Sequence, residues 1–150
     1  MSAEPGNLAG PGRRLGGMLV DLVVVAVIVV LIMALTGGFR DVLGGHEPPM
    51  SGKLIYGGLT IAVWLVLNAQ LLAAKGQTIG KRAVGTRIVD LQGGIPPLGK
   101  LLVLRYLIPW LVGIVPFLGG IFGLADGLFV FRKDRRCIHD HLAGTRVLDA

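Results

Sequence analysis

The side chains able to do chemistry lie inside long apolar runs. Asp21 is the only ionisable residue of residues 15–35, Asn68 lies in the uncharged run 54–74, and Arg105 and Asp126 interrupt residues 100–131. A carboxylate in hydrocarbon costs a few kcal/mol unless it is protonated, paired or hydrated, so each such group is either a proton or ion site or a buried tie between helices. Counted inwards from the nearest basic residue at one end of each run, Asp21 is seven residues from Arg14 and Asn68 seven from Lys75. Arg105 is five from Lys100 and Asp126 six from Arg132. On helices all four fall at one level, ~8–10 Å inside the same membrane face. Two acids and one arginine then leave one carboxylate in excess, which suits reversible protonation or cation binding. The same residues could equally form a satisfied Asp, Arg, Asp and Asn network that only fixes helix register, and the sequence leaves both readings open.

The elements that must carry these groups follow from length and apolarity. The chain has 150 residues, 53% of them hydrophobic, and a mean hydropathy of +0.71. That is too apolar for an ordinary soluble surface, and predicts a small, mostly helical integral membrane protein of one domain. Residues 15–35 are twenty-one residues long, enough to cross a core of ~30 Å. Residues 54–74 form a second span. Residues 1–12 carry glycine and proline without an apolar run and read as a disordered tail ahead of a single domain over 13–150. Arg13 and Arg14 before an apolar run could open a signal peptide, but the acid within the run and the lack of a small-residue cleavage site argue against one.

Between the spans, residues 36–53 are a glycine- and proline-rich loop with a short surface turn near 39–43. Residues 83–91 alternate like a strand, with 91–94 as its turn. GTRIVDL at 85–91 is matched by GTRVLDA at 144–150. Each alone is an unstable edge, so the two are expected to pair at the membrane surface. Lys and Arg number two before the first span, two in 36–53, five in 75–100 and five in 132–150. The positive-inside rule then places both termini and the second connection in the cytoplasm. The third apolar region must return to the side it left. A helical hairpin does this, re-entrant or spanning, with arms at 101–117 and 121–131 bent at Leu118, Gly119 and Gly120. One strongly tilted span with the tail outside is the alternative. The fold class is therefore an all-α membrane protein of two transmembrane helices and a C-terminal helical hairpin, with a two-stranded β element on the cytoplasmic face.

Several chemistries are excluded. GQTIGKR at 76–82 is one residue short of a phosphate loop, and Arg82 stands where Ser or Thr should hold magnesium. Cys137, His139 and His141 alternate in CIHDH, whereas a zinc site needs a fourth ligand and usually wider spacing, so no metal and no cofactor are expected. The single cysteine excludes an intrachain disulfide, and His46 is a lone loop histidine. No GxSxG, HExxH or GxGxxG occurs, so the chain is not expected to be an enzyme. The net charge of +6 is better explained by topology and anionic lipid than by nucleic acid, with Arg132, Lys133, Arg135 and Arg136 as the lipid contact.

The order of these features resembles the RDD family of small bacterial membrane proteins, over about residues 13–149. RRLGGMLVD is similar to that family's opening signature, which puts the family arginine on Arg14 and its first aspartate on Asp21. GQTIGKRAVGTRIVD followed by LLVLRYL resembles the central block, and RRCIHDHLAGTRVLD the terminal one. The second aspartate best matches Asp140, with Asp126 its rival by depth. Gly17 and Ile79 depart from the expected alanine and proline, outside the ionisable set. The resemblance implies a bacterial inner-membrane protein, with transport of some ligand suggested for the family. On Asp140 it implies a second, interfacial cluster within reach of Arg14. Two readings remain. One is a transporter or transporter subunit for protons, a small cation or a small solute, working as an oligomer. The other is a non-catalytic accessory or assembly module that docks a partner protein through its strands.

Overall fold

The computed structural model describes residues 7–150. Its two longest elements are α1 (Pro11–Thr36) and α3 (Met50–Lys75), each of 26 residues and each long and apolar enough to cross a membrane. Pro11 opens α1, where a missing N–H costs nothing, and both helices stop at a glycine in the left-handed region, Gly37 at φ 76° and Gly76 at φ 63°. Between them lies one short turn of helix, α2 (Arg40–Leu43), at the expected surface turn.

Most side chains of these helices stay uncovered: Leu22 is 61% exposed, Leu31 57% and Val66 82%. The protein's buried core lies instead at one end of the helices. Ala9, Leu72, Ile88, Leu101 and Val147 form it, with Trp64, Leu98, Leu102 and Tyr106 packed around. It joins the end of α3 to a small cap built from α4 (Ile79–Ala83), β1 (Thr86–Asp90), α8 (Ile138–Ala143) and β2 (Thr145–Asp149). The expected strand pair is present. β1 and β2 run antiparallel with Thr86 opposite Asp149 and Asp90 opposite Thr145, and the turn after β1 is held by Asp90 Oδ1, which accepts from the N–H groups of Gln92 and Gly94.

The cap corrects the strand boundary. Ala83 belongs to α4, so β1 begins at Thr86 rather than at 83. Gly76 brings α3 hard against the sheet: the N–H of Ile88 donates to its carbonyl at 2.7 Å, and a Cβ there would strike the Ile88 carbonyl. The N-terminal segment is also corrected in part. Residues 1–6 of the expected disordered tail lie outside the described residues, but Asn7–Gly12 are ordered. Leu8 bridges to Leu148, the Ala9 N–H donates to the Val147 carbonyl at 3.0 Å, and Ala9 is fully buried.

The third apolar region begins with α5 (Leu98–Lys100) and widens to a π-helix over Leu101–Leu107 before α6 (Ile108–Ile114). Pro109 has no N–H to return to the Arg105 carbonyl, and the local π winding absorbs that break. The chain turns at Val115, Pro116 and Phe117 into α7 (Leu118–Phe129), which packs against α6. The turn thus comes earlier than Leu118–Gly120. Val115 is extended (ψ 121°), as a residue before proline prefers, and Phe117 takes φ 63°. Gly119 serves the packing instead. A Cβ there would collide with the Gly113 backbone, so this glycine lets the two helices meet.

Candidate functional site

The polar groups of the apolar helices meet the cap at the N-termini of its two short helices. A helix start leaves backbone N–H groups without partners. In α4 three successive ones are met, two by other helices and one by the helix's own N-cap. The Ile79 N–H donates to Asn68 Oδ1 of α3 at 2.8 Å, the Gly80 N–H to Asp21 Oδ1 of α1 at 2.7 Å, and the Lys81 N–H to the Thr78 hydroxyl at 3.2 Å. Thr78 in turn donates its O–H to Asp21 Oδ2 at 2.5 Å. Asn68, only 1% exposed, uses its amide N–H on the Trp64 carbonyl. Close approach makes this possible: a Cβ on Gly80 would overlap the Gly17 backbone and the Asp21 carboxylate, so α4 lies directly on α1.

At α8 the pattern recurs. The His139 N–H donates to Asp126 Oδ1 of α7 at 2.9 Å, and His139 Nδ1 lies 2.7 Å from Asp126 Oδ2. The Cys137 side chain accepts from the Asp140 N–H while Asp140 Oδ2 accepts from the Cys137 N–H at 3.0 Å, a capping box. Burial is the main influence on His139 and lowers its pKa, against the hydrogen bond to Asp126. Burial likewise pushes the Cys137 thiol up to about 11.

Asp140 is the densest node. Its carboxylate is fully buried and accepts from Arg14 of α1 and from Arg105 of the π-helix. Arg105 is 4% exposed and also donates to the Thr145 hydroxyl at 2.7 Å, and Arg14 reaches the Arg135 carbonyl. Burial opposes the charge, but the two guanidiniums prevail and hold the Asp140 carboxyl well below the usual range. Lys81 completes the surroundings. Burial and the positive charges of Arg105 and Arg14 lower its ammonium to about 8, against the pull of Asp21 and Asp140.

The expected single layer therefore divides. Among the described residues no hydrogen bond or ion pair links Asp21, Asn68, Arg105 and Asp126 to one another. Asp21 and Asn68 serve α4, Asp126 serves α8, and Arg105 neutralises Asp140 rather than an acid of the layer. Counting depth along each span could not reveal this, because the partners come from helices of five and six residues, too short to show a period. Thr78, Gly80, Lys81 and Thr145 escaped the sequence reading. The signal that could have found Thr78 and Gly80 was the small-residue and hydroxyl content of GQTIG just before the first GTR strand.

Asp126, Cys137 and His139 bring ligand atoms to within 4.8 Å of one another. This differs from the Cys137, His139 and His141 alternation visible in sequence, because His141 turns away to Asp134 at 3.2 Å. Asp126 also lines a cleft of about 480 Å³ between α6 and α7, beside Trp110, Gly113 and Phe122.

The family model described as the RDD family matches residues 8–144. An uncharacterized protein, YckC of Bacillus subtilis (strain 168), is 34% identical over 140 residues, covering 93% of this chain and 83% of that protein. No solved structure matches the chain.

Proposed function

This chain belongs to the RDD family, and we propose that it is a non-enzymatic transport protein or transport subunit of the bacterial cytoplasmic membrane, carrying protons or a small cation with Asp21 as the group that binds the cargo. One observation carries this reading. Asp21 is the only ionisable side chain in the apolar body of α1, and its donors are neutral, a threonine hydroxyl and a backbone N–H. Among the described residues it has no ion pair, so protonation or a cation can still satisfy it. Arg14 and Arg105, bound to Asp140, belong in this reading to the frame that holds α8 in place and not to the pathway.

The bilayer placement is part of the proposal. The bridge between Leu8 and Leu148 supports a reading in which these two segments share one face, with an even number of crossings between them. With α1 and α3 as two, α6 and α7 enter and return as a hairpin. Helix α7 has 12 residues, about 18 Å of rise, which suits a re-entrant arm. The positive-inside rule makes the cap cytoplasmic, where Arg132, Lys133, Arg135 and Arg136 meet anionic lipid. The largely uncovered apolar faces of α1 and α3 leave room for a second copy, and so few helices enclose a pathway poorly alone. Proton and sodium flux into sealed liposomes tests the reading. Wild type should carry flux that folded Asp21→Asn lacks, and an inactive wild type or an active mutant would sink it.

A second reading has its own observation. Asp140 accepts from Arg14, Arg105 and the Cys137 N–H, a saturated node that suits a structural role. Here the chain is an assembly module, and its cap and strand pair dock another membrane protein. Retained copurification of a partner by the flux-inactive Asp21→Asn variant would favour it.

A further inference from the structure

The caps of α4 and α8 are built alike, and the differences between them are specific. At a constant offset of 59 residues, Thr78 corresponds to Cys137, Ile79 to Ile138, Gly80 to His139 and Lys81 to Asp140, and the strands align as Thr86 with Thr145. A carboxylate from a membrane helix sits on the second N–H of each short helix, Asp21 on Gly80 and Asp126 on His139. Only the α8 copy adds a thiol and an imidazole beside that carboxylate. We infer that Asp126, Cys137 and His139 form a binding site for a thiophilic divalent cation such as Zn²⁺, a role beyond the transport reading and independent of it.

The three ligand atoms come from α7, from α8 and from the residue that caps α8, and lie within 4.8 Å of one another. Around a tetrahedral ion with bonds of about 2.0–2.3 Å, ligand atoms stand roughly 3.3–3.7 Å apart. Closing the set therefore takes side-chain adjustments of about an ångström. Thiolate, imidazole and carboxylate together suit zinc rather than magnesium or calcium. Three protein ligands leave the fourth position of a tetrahedral ion to water. Binding replaces the His139 to Asp126 hydrogen bond. The imidazole coordinates through Nδ1 and carries its proton on Nε2, which faces the Asp140 carboxylate at 3.9 Å, a favourable charge behind the ring. Cys137 loses its S–H proton to water, so one proton leaves for each ion bound.

The test uses Co²⁺ as the probe on the purified full chain in detergent. Cys137 is the only cysteine, so any thiolate-to-metal charge-transfer band reports on this site alone. Wild type should saturate at one equivalent with the visible bands of tetrahedral cobalt. Cys137→Ser, which keeps a hydroxyl cap on α8, should lose the charge-transfer band. Folded His139→Gln and Asp126→Asn should each bind at least tenfold more weakly, and His141→Gln should bind as wild type does. X-ray absorption of Zn²⁺-loaded wild type needs no variant, and should give one sulfur and three nitrogen or oxygen neighbours. No band at millimolar Co²⁺, a zinc shell without sulfur, or affinity unchanged in both His139→Gln and Asp126→Asn would overturn the site.

Discussion

The α1, α4 and β1 unit and the α7, α8 and β2 unit solve one problem with different chemistry. Each hangs a short helix and a strand from an acid in a longer apolar helix. In the first, the three N–H groups of α4 are met one each by Asn68, Asp21 and Thr78, and the third helical position is Lys81. In the second, that position is Asp140, which closes a capping box and draws in two arginines. The first unit is fastened by close backbone packing and neutral hydrogen bonds, the second by buried charge. In the transport reading, the carboxylate with neutral donors is the one free to bind cargo. One locked between guanidiniums cannot do so without breaking the cap.

The comparison is broken most severely at its charged side. Asp140→Ala leaves Arg14 and Arg105 facing each other without an anion, and breaking a buried pair costs about 3–5 kcal/mol. The variant should lose its cooperative thermal transition in detergent, whereas Lys81→Ala at the matching position should unfold within a few degrees of wild type. On the packed side, Gly80→Ala drives a methyl into the Gly17 backbone and should cost about 1–3 kcal/mol by the same assay. Gly17→Ala, whose Cβ would meet Val84 and Gly80 atoms at 3.2–3.3 Å, should cost less.

Smaller effects sharpen the contrast. Asp21→Asn keeps an acceptor for the Gly80 N–H and should destabilise by about 1 kcal/mol, measured beside the flux assay. Lys81 supplies a pH signature. Its folded pKa of about 8 lies below its ordinary value of 10.5, so between those pH values the unfolded chain binds more protons. Its contribution to stability therefore rises across that window. A wild-type melting temperature that climbs from pH 8 to pH 10 relative to Lys81→Met would confirm the sign, and a parallel pair of curves would refute it.

Much of the architecture was legible because it depends on long apolar runs and on one repeated strand. The spans at 15–35 and 54–74 and the pairing of the GTR segments follow from hydropathy and edge satisfaction. The short helices did not announce themselves. Five residues after Thr78 or six after Cys137 carry no period, and the 59-residue correspondence between them rests on cap positions where the residue types differ. Arg105 was placed in a shared layer because depth was counted along straight helices, while its partner approaches from a helix of the cap at their ends. The break after α6 moved to Val115–Phe117 because proline restricts its predecessor more strongly than glycines invite a bend.

The bond between Arg14 and Asp140 joins positions 126 residues apart, and that separation sets an order of events during biosynthesis. The ribosome delivers Arg14 long before Asp140, so both guanidiniums of the node wait, hydrated or lipid-bound, until the segment that carries Asp140 emerges. A nascent chain stalled before residue 140 would hold its membrane helices without the lock that ties them to the cap. Completion of this fold therefore waits on synthesis of residue 140, and products truncated before it should be ready targets for membrane quality-control proteases.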